Sequence, residues 1–371
     1  MTSPVAAIDI GTNSTRLLVA DPATGATLER RMVITRLGEG VDATGALSTH
    51  AIDRTVAVLE TYKQVMDSYG VARFRSVATS AARDAANREL FFERARSVLG
   101  KAPELLDGIE EGKLSFVGAV AELGGIAESV KQDRTVGGIA EGRSIAGSAP
   151  SGPGALGTLQ DDQDVVHAYQ LVIDIGGGST EIIFGNLADL DGVAVVSLDI
   201  GCVRLTERYF HHDPPIVREI LEARRAAREA LVGARSTITS CVPGRYMVGL
   251  AGTASTQATI IRRSRTVRHH LIGLAGTVST IAALDRRLAV YDREKIHHSV
   301  LERSTVRDWA VTLASEPASA RLAHAGMAKG REDVIAGGAI ILDEAMKAFG
   351  RQLCMVSESD ILDGIARSLL G

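Results

Sequence analysis

Twice in 371 residues the chain writes Asp-Ile-Gly-x-x-Ser-Thr between two apolar runs, first in "AAIDIGTNSTRLLVA" (Ala6 to Ala20) and again in "LVIDIGGGSTEIIFG" (Leu171 to Gly185). The runs are short, apolar and bounded by turn residues, so each copy predicts two buried strands joined by a polar turn, a hairpin rather than a strand-to-helix unit. Glycine at such a turn clears side chains from the path of the backbone N–H groups. These converge on one concavity, a nest that binds anions and phosphate above all. Thr12 and Ser14 in the first copy, and Ser179 and Thr180 in the second, can add hydroxyl donors. The Asp opening each turn, Asp9 or Asp174, suits a divalent cation that bridges carboxylate and phosphate oxygens, because a carboxylate repels phosphate itself. A duplicated hairpin therefore predicts two similar lobes facing each other across a phosphate-filled cleft.

The length suits two domains of roughly 150–200 residues each, and 45% hydrophobic with 23% charged residues is the balance of a soluble globular enzyme. Lys plus Arg is 41 against 45 Asp plus Glu, a formal charge of −4. That charge, with only 4% aromatic residues to stack on bases, argues against a nucleic-acid partner. A polyanionic ligand must be held by local basic groups. Cys202, Cys241 and Cys354 are far apart and form no Cys-x-x-Cys pair, which fits a reducing cytoplasm. The start "MTSPVAAIDIG" lacks a signal-peptide pattern, and no run approaches the ~20 apolar residues of a membrane span, so no membrane partner is expected.

Between the hairpins, "RMVITRLG" predicts a third strand and Ser48 to Tyr69 a helix with Ser48 or Thr49 as its N-cap. "FRSVATSAARDAANRELFFERARSVLG" predicts strand, turn and a helix ending on Gly100; "PELLDG" and "EEGKLSFVGAVAEL" predict a short strand and a helix. Residues 137–164 are rich in glycine, serine and proline without periodicity and read as a flexible insertion. Ile216 to Leu231 predicts an arginine-rich amphipathic helix, and "ESDILDGIARSLL" a closing one. "GLAGTAST" at Gly249 returns as "GLAGTVST" at Gly273, 24 residues on, with a run of arginines and His269 and His270 between the copies. A solvated loop is the simpler reading of that run; guidance of a polyanion is the other.

Beyond the twin turns, "TRLGEGVDATGALS", "VATSAARDAAN", "DGIEEGKLSFVGAV", "SLDIGCVRLTERYF", "GLAGTVSTIAAL", "YDREKIHHSVL" and "GMAKGREDVIAGGAIIL" follow in an order that resembles the exopolyphosphatase / guanosine pentaphosphate phosphatase (Ppx/GppA) family. The resemblance omits only 137–164 and the surroundings of the first "GLAGT". It implies an α/β fold of two ribonuclease-H-like domains with a cleft between them, as in actin, the heat-shock chaperone ATPases and the sugar kinases. The expected division is residues 1–128 and 129–356, with the C-terminal helix of 357–371 packing back on the first domain. It implies hydrolysis of a terminal phosphoanhydride with Mg²⁺ or Mn²⁺, on inorganic polyphosphate or, alternatively, on guanosine pentaphosphate. The close of the chain soon after "ESDILDG" points to short polyphosphate chains. A kinase or ATP-dependent binding protein is the alternative of a different class. Nothing fixes the oligomeric state, and a homodimer is compatible with it.

The resemblance implies Glu111 as catalytic base; on spacing alone it is a solvated glutamate at a helix start, favoured there by the helix dipole. Glu110 is left structural. Glu181 is carried over as a metal- or water-orienting acid, the alternative being an exposed strand residue. Asp174 and Asp9 are the metal candidates. Phosphate contacts are expected from Thr12, Asn13, Ser14 and Arg16, and from Gly176, Gly177, Gly178, Ser179 and Thr180. Arg83 matches the family's phosphate-binding arginine, whose planar fork suits a phosphoryl group; an ion pair with Asp84 or another acid is the plainer reading. Lys295, His297 and His298 could line a polyanion channel, though neighbouring histidines ordinarily point apart and make a poor metal pair. The family continues with alanine and arginine after the glutamates, where this chain has Gly112 and Lys113. Glycine loosens a helix start by roughly 0.5–1 kcal/mol relative to alanine, which predicts a less firmly held base.

Overall fold

The computed structural model describes residues 3–121, 169–241 and 271–370. The 137–164 segment, the first "GLAGT" copy and the basic run after it lie outside the described residues.

The first lobe opens with the predicted hairpin. Strands β1 (Val5–Ile10) and β2 (Ser14–Ala20) pair antiparallel, and β3 (Thr27–Ile34) adds to β2. Helices α1 (Val41–Thr44) and α2 (Thr49–Ser68) follow, the latter capped by Ser48, whose side chain accepts from the Ala51 N–H at 3.1 Å. Strand β4 (Arg73–Ala78) returns parallel to β1 and leads into α3 (Ser80–Asp84), α4 (Arg88–Leu99) and the short β5 (Glu104–Leu105). The strand order is β3-β2-β1-β4-β5. A helix α5 over 108–121 then leaves this lobe.

The second lobe repeats the plan. Strands β6 (Gln170–Ile175), β7 (Thr180–Asn186) and β8 (Asp189–Leu198) form the antiparallel meander. They are followed by α6 (Cys202–Tyr209), α7 (Val217–Cys241), β9 (Leu271–Leu274), α8 (Ala275–Asp285), α9 (Arg293–Ile296) and β10 (Val300–Glu302). The chain closes with α10 (Arg303–Ser315), α11 (Ala318–Arg321), α12 (Ile335–Ala348), β11 (Leu353–Val356) and α13 (Ile361–Arg367). The order β10-β11-β9-β6-β7-β8 places β9 and β11 parallel to β6, as β4 and β5 are to β1. These are two ribonuclease-H-like α/β lobes. No helix among the described residues is long and apolar enough to cross a membrane.

Alternation along each strand sends side chains to two faces. Ala6, Ile8 and Ile10 of β1 pack with Ile52, Leu59 and Tyr62 of α2, while Ala7, Leu18 and Val77 on the other face meet Ile361, Leu362 and Ile365 of α13. In the second lobe Ile173 and Ile175 join the large core under α12, and Val172, Ile183 and Ile272 meet Phe116, Ala119 and Val120 of α5. Each lobe thus receives a covering helix from outside its own stretch of chain. Across the cleft floor, Arg204 of α6 pairs with Asp84, Arg208 binds Asp42 through two 2.5 Å bonds, and Arg36 meets Asp333 at 2.7 Å.

Candidate active site

The twin turns fold alike and meet. In each, the Gly N–H donates to the Ser carbonyl three residues on, Gly11 to Ser14 and Gly176 to Ser179, both at 3.0 Å. They approach so closely that a Cβ on Gly177 would stand 2.9 Å from Cβ of Thr12 and 3.1 Å from the Asn13 nitrogen. Only a residue without a side chain fits between the lobes there. The shared crevice is a cavity of about 580 Å³, lined on one side by Asp9, Gly11, Thr12, Asn13, Ser14 and Arg16 and on the other by Asp174 to Ser179 and Glu111. Asn13 is buried, yet neither polar atom of its amide has a hydrogen-bond partner. Buried polar groups are normally satisfied, so both atoms of this amide stand ready for a further hydrogen bond.

The charged groups at this end belong to one electrostatic cluster. Arg16 binds Asp9 Oδ2 through Nε at 2.9 Å and Nη2 at 2.6 Å, and its Nη1 also reaches Asp360. Burial nevertheless raises the Asp9 pKa, with Arg16 opposing. Asp174 accepts the Ser115 hydroxyl at 2.6 Å; burial pushes its pKa up to about 6, against the Ser115 bond and Arg16. Glu111 takes Nη1 of Arg83 at 3.1 Å, and burial pushes its pKa up to about 7, opposed by Arg83 and assisted by Asp174. Glu181, buried and bonded by the Ser197 hydroxyl at 2.8 Å, is raised furthest, by burial first and then by the charges of Glu111 and Asp174. Burial and the neighbouring carboxylates thus favour the protonated forms of this pair of acids.

Several predicted residues take other places. Arg83 engages Glu111 and the Leu106 carbonyl at 2.9 Å, and Asp84 is left to Arg204. Thr180 donates its hydroxyl to the Ile200 carbonyl at 2.5 Å, away from the cavity wall, and Glu110 is exposed. Lys295 pairs with Asp292 at 2.8 Å, and neither it nor His297 or His298 lines the cavity. The two imidazoles do not point apart: their centroids are 3.6 Å apart, His298 having turned into the left-handed region at φ 59°. Gly112 has a packing role beside its low helix propensity. A Cβ there would lie 2.5 Å from Val195 Cγ1 and 3.3 Å from Ile183 Cγ1, so its absence lets α5 seat directly on β7 and β8.

Ser115, Ser197 and Asp360 escape a reading of the sequence. Asp360 is recognisable only as the start of a helix, where it caps α13 by accepting from the Leu362 N–H at 3.0 Å. The cavity lining also includes Arg30, Arg31, Arg293, Arg331, Tyr291 and Glu358, which nothing in their spacing announces.

The family model described as Ppx/GppA phosphatase family matches residues 18–135 and 160–371. The chain belongs to the Ppx/GppA phosphatase family. It is 38% identical over 382 residues to Exopolyphosphatase 2 of Mycobacterium tuberculosis, covering 99% of this chain and 98% of that protein. Among solved structures it is similar to an exopolyphosphatase-like protein (TM-score 0.74, 28% identity, 99% of each chain) and to a Ppx/GppA member from Aquifex aeolicus (TM-score 0.65, 28% identity, 99% of this chain and 98% of that one). For a Ppx/GppA chain the carboxyl-rich end of the cavity raises the question of a cation. No three His, Cys, Asp or Glu side chains among the described residues form a ready cage. A Mg²⁺-like ion instead takes one or two carboxylates and completes its shell with water and substrate oxygens. Asp174, held by a neutral hydroxyl, fits that role; Asp9 also keeps one oxygen clear, both Arg16 bonds ending on Oδ2, but the guanidinium beside it repels a cation, so it fits less well.

Proposed function

We propose that this protein releases terminal orthophosphate from short chains of inorganic polyphosphate, with Glu111 as the base that activates water and Asp174 as the principal holder of Mg²⁺ or Mn²⁺. The observation that carries the reading is the unpartnered Asn13 amide at the meeting of two glycine turns, in a cavity shared with a carboxylate whose pKa is lifted to about 7. The terminal phosphoryl group lies against the turns, its oxygens taking the N–H groups and hydroxyls of Thr12, Asn13, Ser14 and Ser179. Glu111 accepts a proton from water as the water oxygen bonds to phosphorus; the bridging P–O bond breaks and its electron pair leaves with the shortened chain. Arg83 orients Glu111, and burial with the charges of Glu111 and Asp174 pushes the Glu181 carboxyl well above its usual range. A bound divalent cation supplies charge neutralisation to the phosphate oxygens.

A cavity of about 580 Å³ falls within the ~300–1,000 Å³ of sites for small-molecule-sized ligands, which favours short chains. Guanosine pentaphosphate is the second reading, favoured by the Tyr291 ring on the arginine-lined wall. Phosphate release compared side by side from short polyphosphate, long polyphosphate, guanosine pentaphosphate and ATP, with and without EDTA, tests both. Fastest release from short polyphosphate, abolished by EDTA, is expected. Release from ATP alone would overturn the assignment, and activity persisting in metal-free buffer would remove the cation.

A further inference from the structure

Glu111 and Ser115 stand one turn apart on α5, and side chains at that spacing project from the same helix face. Each engages a different lobe. Glu111 takes the guanidinium of Arg83, in α3 after β4 of the first sheet; Ser115, fully buried, donates to Oδ2 of Asp174, in the last turn-side residues of β6 of the second. The helix has little freedom to rotate between them. Gly112 sits against Ile183 and Val195, and Phe116, Ala119 and Val120 fill the face of the second sheet.

The two metal-candidate aspartates are held by opposite means. Asp9 is bound twice by the Arg16 cation, which orients its carboxylate and neutralises it together. Asp174 is held by a neutral hydroxyl, in a 2.6 Å bond of the short kind made to ionised acceptors. A hydroxyl orients a carboxylate without cancelling its charge. Among the described residues no donor reaches the other Asp174 oxygen, and the residue lines the cavity.

We propose that Ser115 is a positioning residue for the cation: it fixes the Asp174 carboxylate so that its second oxygen faces the cleft with full charge, at a spacing from Glu111 set by one turn of α5. This rests on the reading of Asp174 as the cation's ligand. A purely structural serine would instead satisfy a buried acid and affect stability alone.

The test measures Mn²⁺ binding to the full chain without polyphosphate, by the loss of the free-ion electron paramagnetic resonance signal, with and without inorganic phosphate. Wild type, Ser115→Ala and Ser115→Thr are compared, with Tm for each. Outer-shell partners elsewhere are worth about 10–100-fold in metal affinity. The alanine variant is expected to lose that much, to need correspondingly more Mg²⁺ for half-maximal phosphate release, and to recover turnover as Mg²⁺ is raised; threonine restores binding. Unchanged Mn²⁺ affinity in a folded Ser115→Ala protein overturns the proposal while leaving the cation reading intact. Failure of wild type to bind Mn²⁺ under either condition overturns both. Should threonine's extra methyl unfold the chain, the alanine comparison decides alone.

Discussion

Arg16 and Glu181 occupy the same register position in the two hairpins, Arg16 opposite Asp9 and Glu181 opposite Asp174. One duplicated strand pair thus carries opposite charges at equivalent points. The first lobe's aspartate is paired in place, whereas in the second hairpin the charges of Glu111 and Asp174 add to burial in pushing Glu181 upward. On the proposed function, that one difference divides the labour: the first turn with its arginine would take anions, the second with its carboxylates a cation.

Glu111→Gln is expected to lower kcat by about 10²–10⁴-fold with little change in KM. A base must be ionised to act, so wild-type turnover should rise with pH through a limb near 7, the value to which burial lifts this group. Steady-state phosphate release from pH 5 to 9 checks both. Near-normal turnover in the variant would exclude Glu111 as the base.

Stability should move the other way with pH. Glu111 titrates near 7 when folded against 4.5 otherwise, and Asp174 near 6 against 3.8. The folded state therefore holds protons that the unfolded chain has already released. Both carboxyls are protonated in either state at the acid end and add nothing there; between about 4 and 7 the metal-free protein loses stability as pH rises. Thermal unfolding in EDTA across that range is expected to show Tm falling, less steeply in Glu111→Gln.

Gly112→Ala tests the seat of the active-site helix. Helix propensity alone predicts a gain of roughly 0.5–1 kcal/mol. A Cβ 2.5 Å from Val195 Cγ1 instead forces α5 off the sheet, and overpacking of this kind costs about 1–3 kcal/mol. Urea unfolding should register net destabilisation, with turnover lowered as Glu111 shifts; a more stable variant would refute the contact.

Asp360→Ala removes both the α13 cap and one partner of Arg16. Loss of the cap costs about 0.5–2 kcal/mol. Freed from one of its two acids, Arg16 should position the terminal phosphate less well, raising KM for polyphosphate. A variant that loses stability with KM unchanged would confine Asp360 to capping.

Much of this architecture is legible in the sequence because its strands are buried on both faces. Val5–Ile10 and Gln170–Ile175 read as near-continuous apolar runs, and their turns carry unmistakable punctuation. The α2 helix announces its own N-cap at Ser48, and α4 its end at Gly100, which takes up φ 83°. Edge strand β3 starts earlier than "RMVITRLG" suggests, because Thr27–Arg30 are mostly polar, none of them buried, and carry Leu28 exposed as their one apolar side chain. Helix α7 runs on to Cys241, past Leu231, through mainly small and hydroxyl residues among which Ala234 and Ile238 alone extend the buried stripe. The partners of the acids were out of reach for a different reason. Ser115 meets Asp174 across 59 residues and Arg16 meets Asp360 across 344, and neither a lone serine nor a helix-capping aspartate declares which carboxylate or guanidinium the fold will bring to it.

The crossing of α5 and α13 has a consequence for how the polypeptide can be divided. α5 precedes the second hairpin yet roofs its sheet, and α13 closes the chain yet covers the sheet where it began. A gene split between the two halves would encode fragments each wearing the other's lid, each with an apolar face open to solvent. Such halves should be insoluble apart and regain shape only when produced together, so the bilobed enzyme is a single indivisible folding partnership.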